Sequence, residues 1–291
     1  MLCARFIQVA ATDICLSRAD PAGFTQQTMM ELFVQGFSDK SRFCDESGAY
    51  IDIENWPMLE FEEESGNLRK VKWMTLQRAD CTIDFQWVPP SVKRLILMRN
   101  DLCGSLDFAA LPRNLEQLHL GGNNFVGSVQ LSVVPRSLKE ISLRSNAFCG
   151  SLNLWDVPRT LHKLIFSRNH FTGTLALAGL PNKLKTCDVF ENRFTGTLDF
   201  TRLPDALEFL DVSENNFFGS IDLSKLPQGI NGMFIDDNEF SGSLDFGSLP
   251  GSLETFSLSK NTFTGTLDCT KHPNAGDFSY ENNNFAVVMR K

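Results

Sequence analysis

Histidine and cysteine are the side chains most often used in metal sites and nucleophilic centres, and this 291-residue chain has four and eight of them. No two cysteines have the Cys-x-x-Cys spacing of a metal or redox site. None of the histidines recurs in register with a cysteine or a second histidine. Phosphate-binding loops and the H-E-x-x-H and G-x-S-x-G motifs are also missing from the sequence. We therefore expect no catalytic, cofactor or metal site, and no enzyme.

One short segment begins like a calcium-binding loop, with Asp236, Asp237 and Asn238 in succession. A calcium loop requires an oxygen ligand and then a glycine at the positions where Phe240 and Ser241 stand. The segment therefore does not predict a calcium site.

The residues that could position a binding surface belong to a 23-residue repeat. From Val88-Pro89 to Leu249-Pro250 an apolar residue followed by proline recurs eight times without a slip. Each pair is followed by the frame L-x-x-L-x-L-x-x-N-x-F-x-G-[S/T]-L, and a shortened ninth unit begins at His272-Pro273. Repeats of this length predict a solenoid, in which each unit buries its core only by stacking on its neighbours.

Each position of the frame has a structural interpretation. The alternating L-x-L predicts a strand with its leucines inward, and a 23-residue return has no room for a long helix, so successive strands lie parallel. The asparagine predicts an inward ladder that satisfies turn backbone groups. The phenylalanine predicts a stacked column, which explains 25 Phe against 2 Tyr. The glycine indicates tight space or a positive φ, and the next hydroxyl is expected to cap backbone groups.

This frame resembles the leucine-rich-repeat superfamily, and its Leu-Pro opening and G-[S/T]-L-D-[F/L] close are most similar to repeats of kinetoplastid protists. The resemblance covers residues 88–285. It implies an α/β-class superhelix of mostly strand and loop, with one continuous parallel sheet on the concave face. Loops, short strands or 3-10 turns would form the convex face. Members of the superfamily are overwhelmingly binding scaffolds, so the resemblance also implies a protein partner.

The two ends depart from the frame. We assign residues 1–24 to a tail, 25–87 to an N-terminal cap ending in a degenerate repeat, 88–271 to eight repeats and 272–291 to a shortened ninth repeat with a C-terminal cap. Residues 26–37 are predicted to form an amphipathic helix that begins with a capping box at Thr28 and Glu31. A hairpin is predicted from Leu59 to Trp73. At the other end, Phe278, Tyr280 and Val288 are expected to pack inward.

The positions between the ladder residues form the predicted concave face. Basic side chains dominate its first four units and acidic ones its last four, and such polarity orients an approaching partner. Outward aromatic residues are typical of interface centres. The predicted partner-binding residues are Lys93, Arg94, Arg99, Ile165, Asp188, Phe190, Phe209, Asp211, Glu214, Phe234 and Asp236.

These observations predict a non-catalytic scaffold that binds another protein on its concave face. A ligand-sensing or receptor-type ectodomain is the alternative, and nucleic-acid contact through the basic first units is a further one that the net charge of −8 disfavours. No apolar run is long enough to span a bilayer. We expect a cytoplasmic location, with secreted, surface and organellar ones left open. We also expect a monomer rather than a homodimer formed through the C-terminal edge.

Overall fold

The structure, a computed structural model, describes residues 23–76, 81–274 and 277–289. Over these residues the chain winds into a solenoid of about nine turns. A full turn adds one strand to each of two parallel sheets, because a 23-residue period brings identical positions of successive units side by side.

The elements are numbered in chain order, beginning with helix α1 (Gln26–Phe33). The ten-stranded sheet, called sheet A, contains β1 (Leu59–Phe61), β2 (Leu68–Met74), β3 (Arg94–Met98), β5 (Gln117–His119), β7 (Glu140–Ser142), β9 (Lys163–Ile165), β11 (Thr186–Asp188), β13 (Phe209–Asp211), β15 (Gly232–Phe234) and β17 (Thr255–Ser257). The eight-stranded sheet, called sheet B, contains β4 (Cys103–Ser105), β6 (Asn124–Ser128), β8 (Ala147–Gly150), β10 (His170–Gly173), β12 (Arg193–Gly196), β14 (Asn216–Ser220), β16 (Glu239–Gly242) and β18 (Thr262–Phe263).

Short elements complete the turns. Strands β19 (Thr266–Asp268) and β20 (Val287–Met289) form a separate parallel pair. The 3-10 turns span Ile53–Asn55, Phe85–Trp87, Phe108–Ala110, Leu154–Asp156, Leu177–Gly179, Phe200–Arg202, Phe246–Ser248 and Cys269–Lys271. Most of them begin after an Asp or Asn whose side chain accepts the N–H two residues on, as Asp199 does from Thr201 at 3.0 Å. The Asp of the repeat close is therefore a helix cap.

The asparagine ladder is confirmed. Asn169 donates through Nδ2 to the carbonyls of Leu143 (3.0 Å) and Phe166 (3.1 Å), and its Oδ1 accepts the N–H of Phe148 at 3.1 Å. One amide thus pairs backbone groups of two successive units that no strand satisfies.

The phenylalanine column is confirmed as well. The rings of Phe171, Phe194 and Phe217 are fully buried, and their centroids lie 6.1 Å apart with interplanar angles of about 10°. Stacking continues to Phe285, whose ring is 6.4 Å from that of Phe263. The column of rings joins each unit to the next from the second unit, at Phe125, onward.

The glycine two residues after the phenylalanine is required for two reasons, its backbone conformation and the space around it. Gly196 has a φ of +93°, and a Cβ on it would lie 2.8 Å from Cγ2 of Thr174 in the preceding unit. The hydroxyl residue is therefore a packing group on the next glycine. The prediction that this hydroxyl row caps backbone was wrong, because none of these hydroxyls from Ser105 to Thr266 forms a hydrogen bond within the described part of the chain. The capping hydroxyls stand two residues after the proline instead, as Thr160 does against the Arg136 and Leu138 carbonyls.

The N-terminal helix is shorter than predicted. It ends at Phe33, and residues 34–36 form a turn in which a Cβ on Gly36 would lie 2.4 Å from the Thr82 carbonyl oxygen. Its cap is Thr25, which accepts the Thr28 N–H at 3.2 Å, so the predicted capping box at Thr28 and Glu31 was wrong. The predicted hairpin is present as β1 and β2, and β2 also pairs in parallel with β3.

The last described turn packs aromatic residues on the solenoid core. Phe278 is buried between the rings of Phe246 and Phe256, and Tyr280 and Val288 are partly buried against the same core. Val287 is 51% exposed on β20. The domain boundaries assigned from the sequence, including both caps, remain predictions.

Candidate functional site: the outer face of sheet A

Strand alternation places two columns of side chains on the outer face of sheet A, the face predicted to be concave. Every core strand of the array turns its middle residue inward, as Leu164, Cys187 and Leu210 do in register. Its first and third residues therefore point outward. The column of third residues contains Ile96, His119, Ser142, Ile165, Asp188, Asp211, Phe234 and Ser257.

Two carboxylates are neighbours in that column. Asp188 is paired in register with Asp211, and Ile165 and Phe234 follow on either side. Asp188 is only 8% exposed and accepts hydrogen bonds from the Ser167 hydroxyl (2.7 Å) and the Phe190 N–H (3.1 Å). The column therefore brings together four of the residues predicted to bind a partner.

Asp211 is held differently. Its Oδ1 accepts both the hydroxyl (2.5 Å) and the N–H (3.0 Å) of Ser213. Its Oδ2 accepts no hydrogen bond within the described residues, and no buried oxygen there lacks a partner, so this oxygen reaches solvent. One oxygen of Asp211 is thus oriented by the protein and the other is open.

The pKa values of both carboxyls are raised. Burial raises the pKa of Asp211 to about 6, against the lowering effect of the Ser213 hydrogen bonds and with a further increase from the charges of Asp188 and Asp236. Burial also raises the pKa of Asp188, although its hydrogen bonds and the charges of Arg144 and Arg168 oppose the change. Negative charge at this point of the sheet is therefore unfavourable in the free protein.

A phenylalanine pair adjoins the carboxylates. The Phe209 and Phe234 rings lie 5.4 Å apart at an interplanar angle of 41°. They meet across Gly232, where a Cβ would lie 3.0 Å from Cδ2 of Phe209. The four apolar residues predicted to face outward, Ile165, Phe190, Phe209 and Phe234, are half-buried rather than exposed as the sequence suggested.

The face of the Phe190 ring is already covered by a cationic side chain of the same protein. The Arg168 guanidinium carbon lies 5.4 Å from the centroid of the Phe190 ring. The Nε of Arg168 also forms an ion pair with Glu191 at 2.8 Å.

Ion pairs between neighbouring units neutralise several acidic residues of the face. They join Lys139 to Glu116, Arg168 to Glu191, Lys185 to Glu208 and Lys260 to Asp237, at 2.7–2.8 Å. Among the described residues, no cation lies within ion-pair distance of Asp188, Asp211, Glu214 or Asp236. Four of the predicted site residues are thus carboxylates without a salt-bridge partner.

The predicted basic residues lie elsewhere. Lys93 precedes β3, Arg94 begins it, and the exposed Arg99 follows it with a φ of +56°. Five strand steps of about 4.8 Å separate β3 from β13, so these cations lie roughly 24 Å from the carboxylate and phenylalanine cluster. The structure therefore divides the predicted residues into two groups.

Three residues important to the cluster were not found from the sequence. Ser167 and Ser213 orient the carboxylates, and Gly232 makes room for the two rings. The Ser213 contact could have been found from the Asp-x-Ser spacing, which favours local hydrogen bonding. Ser167 and Gly232 act across strands, so only the sheet register identifies them.

A second regular surface lies on sheet B. Its outward residues on either side of the recurring glycine form two columns without a charged member, and every residue of the second column is Ser or Thr. The first column is Cys103, Val126, Cys149, Thr172, Thr195, Phe218, Ser241 and Thr264; the second is Ser105, Ser128, Ser151, Thr174, Thr197, Ser220, Ser243 and Thr266. The hydroxyls of Thr172, Thr174, Thr195 and Thr197 are exposed and bond to nothing in the described chain. We call these two columns the hydroxyl face.

The residues that could do chemistry are dispersed or buried. In the described ranges no group of three or more His, Cys, Asp or Glu side chains is arranged to hold a metal ion. The described cysteines are free thiols, and burial raises the pKa of Cys187 to about 12. No helix within those ranges is long and apolar enough to cross a bilayer.

No protein-family model and no curated protein sequence matches the chain. Solved structures do match. A plant ice-binding protein is 20% identical with a TM-score of 0.64, over 83% of this chain and 88% of that one. A leucine-rich-repeat protein of Leptospira interrogans is 20% identical with a TM-score of 0.52, over 75% and 68%. The fold is a leucine-rich-repeat solenoid.

The leucine-rich-repeat ectodomain of the receptor kinase GASSHO1/SCHENGEN3 from Arabidopsis thaliana, solved in complex with CASPARIAN STRIP INTEGRITY FACTOR 2, is also 20% identical. Its TM-score is 0.57 over 76% of this chain, which spans only 32% of that ectodomain. Similarity at this level establishes the solenoid alone. The likeness of the repeats to those of kinetoplastid protists remains a prediction.

Proposed function

We propose that the protein is a non-catalytic scaffold that binds a partner protein on the outer face of sheet A. The observation that supports it most directly is the cluster formed by Asp188, Asp211, Phe209 and Phe234. Half-buried aromatic rings beside carboxylates without salt bridges are unfavourable in a free surface and typical of an interface centre.

A comparison of captured proteins tests the proposal. Wild type and a Phe209→Ala/Phe234→Ala variant are immobilised and exposed to a lysate of the source cells. The matched control is a Val133→Ala/Trp155→Ala variant, which removes two exposed apolar side chains away from sheet A. A partner lost with the first variant and kept with the second supports the proposal. Equal capture by both variants would show that another surface binds.

A receptor-type ectodomain, the alternative, would bind its ligand on the same face of sheet A but would be located outside the cell. Fusing a tag to the chain and testing its protease accessibility in intact source cells separates the two, since only an exported chain is cleaved. We favour the cytoplasmic scaffold because no N-x-Ser/Thr glycosylation sequon occurs in the sequence.

A second candidate function, adsorption to ice, is favoured by the hydroxyl face. Hydroxyl and methyl groups recur there once per turn without a charged member in either column, and the columns run at a slant to the strands because Thr172 pairs in register with Arg193 and Thr195 with Asn216. Thr174 and Thr197 are held in place because their Cγ2 atoms pack on Gly196 and Gly219. A fixed, repeating array of this kind suits a surface that is itself periodic, and the plant ice-binding protein provides an example of ice binding by a protein of similar fold.

Inhibition of ice recrystallisation tests the second function. Wild type is compared with Thr172→Lys/Thr195→Lys, which places two charges in the array, and with Phe209→Ala/Phe234→Ala as the control on the other sheet. Activity lost only in the lysine variant supports adsorption through the hydroxyl face. Ice that grows with wild type as it does with an inert protein would contradict it.

A further inference from the structure

Asp188 on β11, Asp211 on β13 and Asp236, which follows β15, lack the salt bridge that several other carboxylates of sheet A have. Glu116, Glu191, Glu208 and Asp237 each have a lysine or arginine from a neighbouring unit. The cations nearest to Asp188, those of Arg144 and Arg168, favour its charged form but do not outweigh burial. A buried charge that is not paired in the free protein is stabilised when a partner supplies the opposite charge.

The shape of the cluster indicates which cation fits. Oδ2 of Asp211 is open, and Asp211 is in register with Phe234, whose ring meets that of Phe209. A side chain entering here meets a carboxylate oxygen and an aromatic surface together. A guanidinium group satisfies both, because it hydrogen-bonds carboxylates in its plane and stacks on aromatic rings through its face.

The chain itself contains an example of this arrangement one unit away. Arg168 stacks its guanidinium on Phe190 and pairs its Nε with Glu191. Its position on the same outer face demonstrates that the geometry of the sheet accommodates an arginine between a ring and a carboxylate. The site at Asp211 offers the same two components with no arginine of the chain in place.

We propose that the outer face of β11, β13 and β15 binds an extended, arginine-bearing segment of a partner protein, with the guanidinium at Asp211 against the Phe209–Phe234 pair. This inference rests on the proposed scaffold function and specifies its partner. Asp236 lies near both Asp211 and Glu214, so further basic residues of the segment would meet these carboxylates. A protein segment suits the site better than a free metal ion, because the carboxylates adjoin phenylalanine rings and no group of three metal-binding side chains converges among the described residues.

Selection from a displayed library of random short peptides tests the inference on the full chain. Peptides retained by immobilised wild type are sequenced and then measured singly against Asp188→Asn/Asp211→Asn, against Phe209→Ala/Phe234→Ala, and against the control Asp205→Asn/Glu239→Gln. Thermal unfolding and circular dichroism of each variant establish that it is folded. We expect an arginine at a fixed position of the selected peptides, affinity at least tenfold lower for both cluster variants, and unchanged affinity for the control. Replacing that arginine by citrulline, which keeps the shape but removes the charge, should abolish binding.

The outcomes separate this inference from the scaffold function. Selected peptides without a basic residue that still require Phe209 and Phe234 would overturn the arginine site and leave the binding face intact. Peptides indifferent to both cluster variants, or no selected peptides at all, would count against the arginine site and the proposed binding face together.

Discussion

Asp188 and Asp211 are paired in register on neighbouring parallel strands, so two carboxylates stand side by side on a half-buried sheet face. Each is held by a serine of its own or the preceding unit, and neither has a salt bridge among the described residues. The arrangement lowers the stability of the free protein at neutral pH, because like charges and burial both disfavour ionisation.

Neutralising Asp211 should therefore stabilise the fold. Asp211→Asn keeps an oxygen for the Ser213 hydrogen bonds but removes the charge, and we expect about 1–2 kcal/mol of added stability at pH 7. The folded-state pKa of about 6 lies above the ordinary value of 3.8, so the folded protein binds more protons between these pH values. The contribution of Asp211 to the free energy of unfolding then rises as pH falls through that window.

Urea unfolding of wild type and Asp211→Asn from pH 7 to pH 4 measures this effect. The difference between the two proteins should be largest at pH 7 and shrink towards pH 4, where Asp211 of the folded wild type is protonated. A difference that stays constant with pH would contradict the raised pKa.

The buried ladders should carry much of the stability. Asn192→Ala leaves the N–H of Phe171 without its side-chain partner and removes one of two asparagine donors from each of the Phe166 and Val189 carbonyls, and should cost about 2–4 kcal/mol. Phe194→Ala opens a cavity in the ring column and should cost about 3–5 kcal/mol. Arg193→Ala, an exposed neighbour, serves as the control and should change stability by less than about 0.5 kcal/mol. Equal melting temperatures for all three variants would show that the ladders are misplaced.

The recurring glycine should tolerate no side chain. Gly196→Ala puts a Cβ at a φ of +93° and against Cγ2 of Thr174, and we expect a loss of more than about 1 kcal/mol. Adding Thr174→Ser removes the clashing methyl but not the backbone strain, so the double variant should recover part of the loss. Full stability in Gly196→Ala alone would rule out this explanation of the glycine.

The charges on the outer face of sheet A should affect mainly the rate of association with a partner. Glu214 is exposed, and Glu214→Lys should slow the encounter with a basic partner by up to roughly tenfold at low salt, with a smaller effect on dissociation. Stopped-flow association at several salt concentrations measures both the rate and its salt dependence. Glu239→Lys on sheet B is the matched control, and an equal effect of both substitutions would indicate a net-charge effect rather than a binding face.

The packing around the last described strand, β20, predicts the oligomeric state. Phe285 stacks on Phe263 and Phe278 is buried, so most apolar groups of this end are covered by the chain itself. We expect a monomer whose sedimentation coefficient does not change with concentration. A dimer that disappears on Val287→Lys, a substitution at an exposed position of β20, would instead indicate edge-to-edge pairing.

The repeat frame predicted the fold because its buried positions depend only on periodicity. Leu164, Asn169 and Phe171 fulfil the roles that their places in the frame indicate. The frame predicted the wrong role where that role depends on which backbone groups are already hydrogen-bonded to a neighbouring unit. The hydroxyl of Thr197 follows the glycine in a position suited to capping, yet nearby backbone groups are paired in sheet B, so the side chain packs on Gly219 instead.

The binding surface was predictable only in outline. Which side chains face outward follows from alternation, and that placed Asp188, Asp211 and Phe234 in one column. The sequence could not indicate that Gly232 brings two rings together or that Arg168 occupies Phe190, because both contacts depend on side-chain directions across strands.

The ladder contacts of each turn reach only to the turns beside it. The amide of Asn169 bonds carbonyls of its own and the preceding turn, and the methyl of Thr174 rests on the glycine of the following one. Gene duplication or deletion of one whole unit would recreate every one of these contacts at the new junction. The length of the protein can therefore change by unequal recombination without loss of folding. The carboxylate and phenylalanine cluster, by contrast, spans three particular turns and is preserved only if recombination leaves those turns intact.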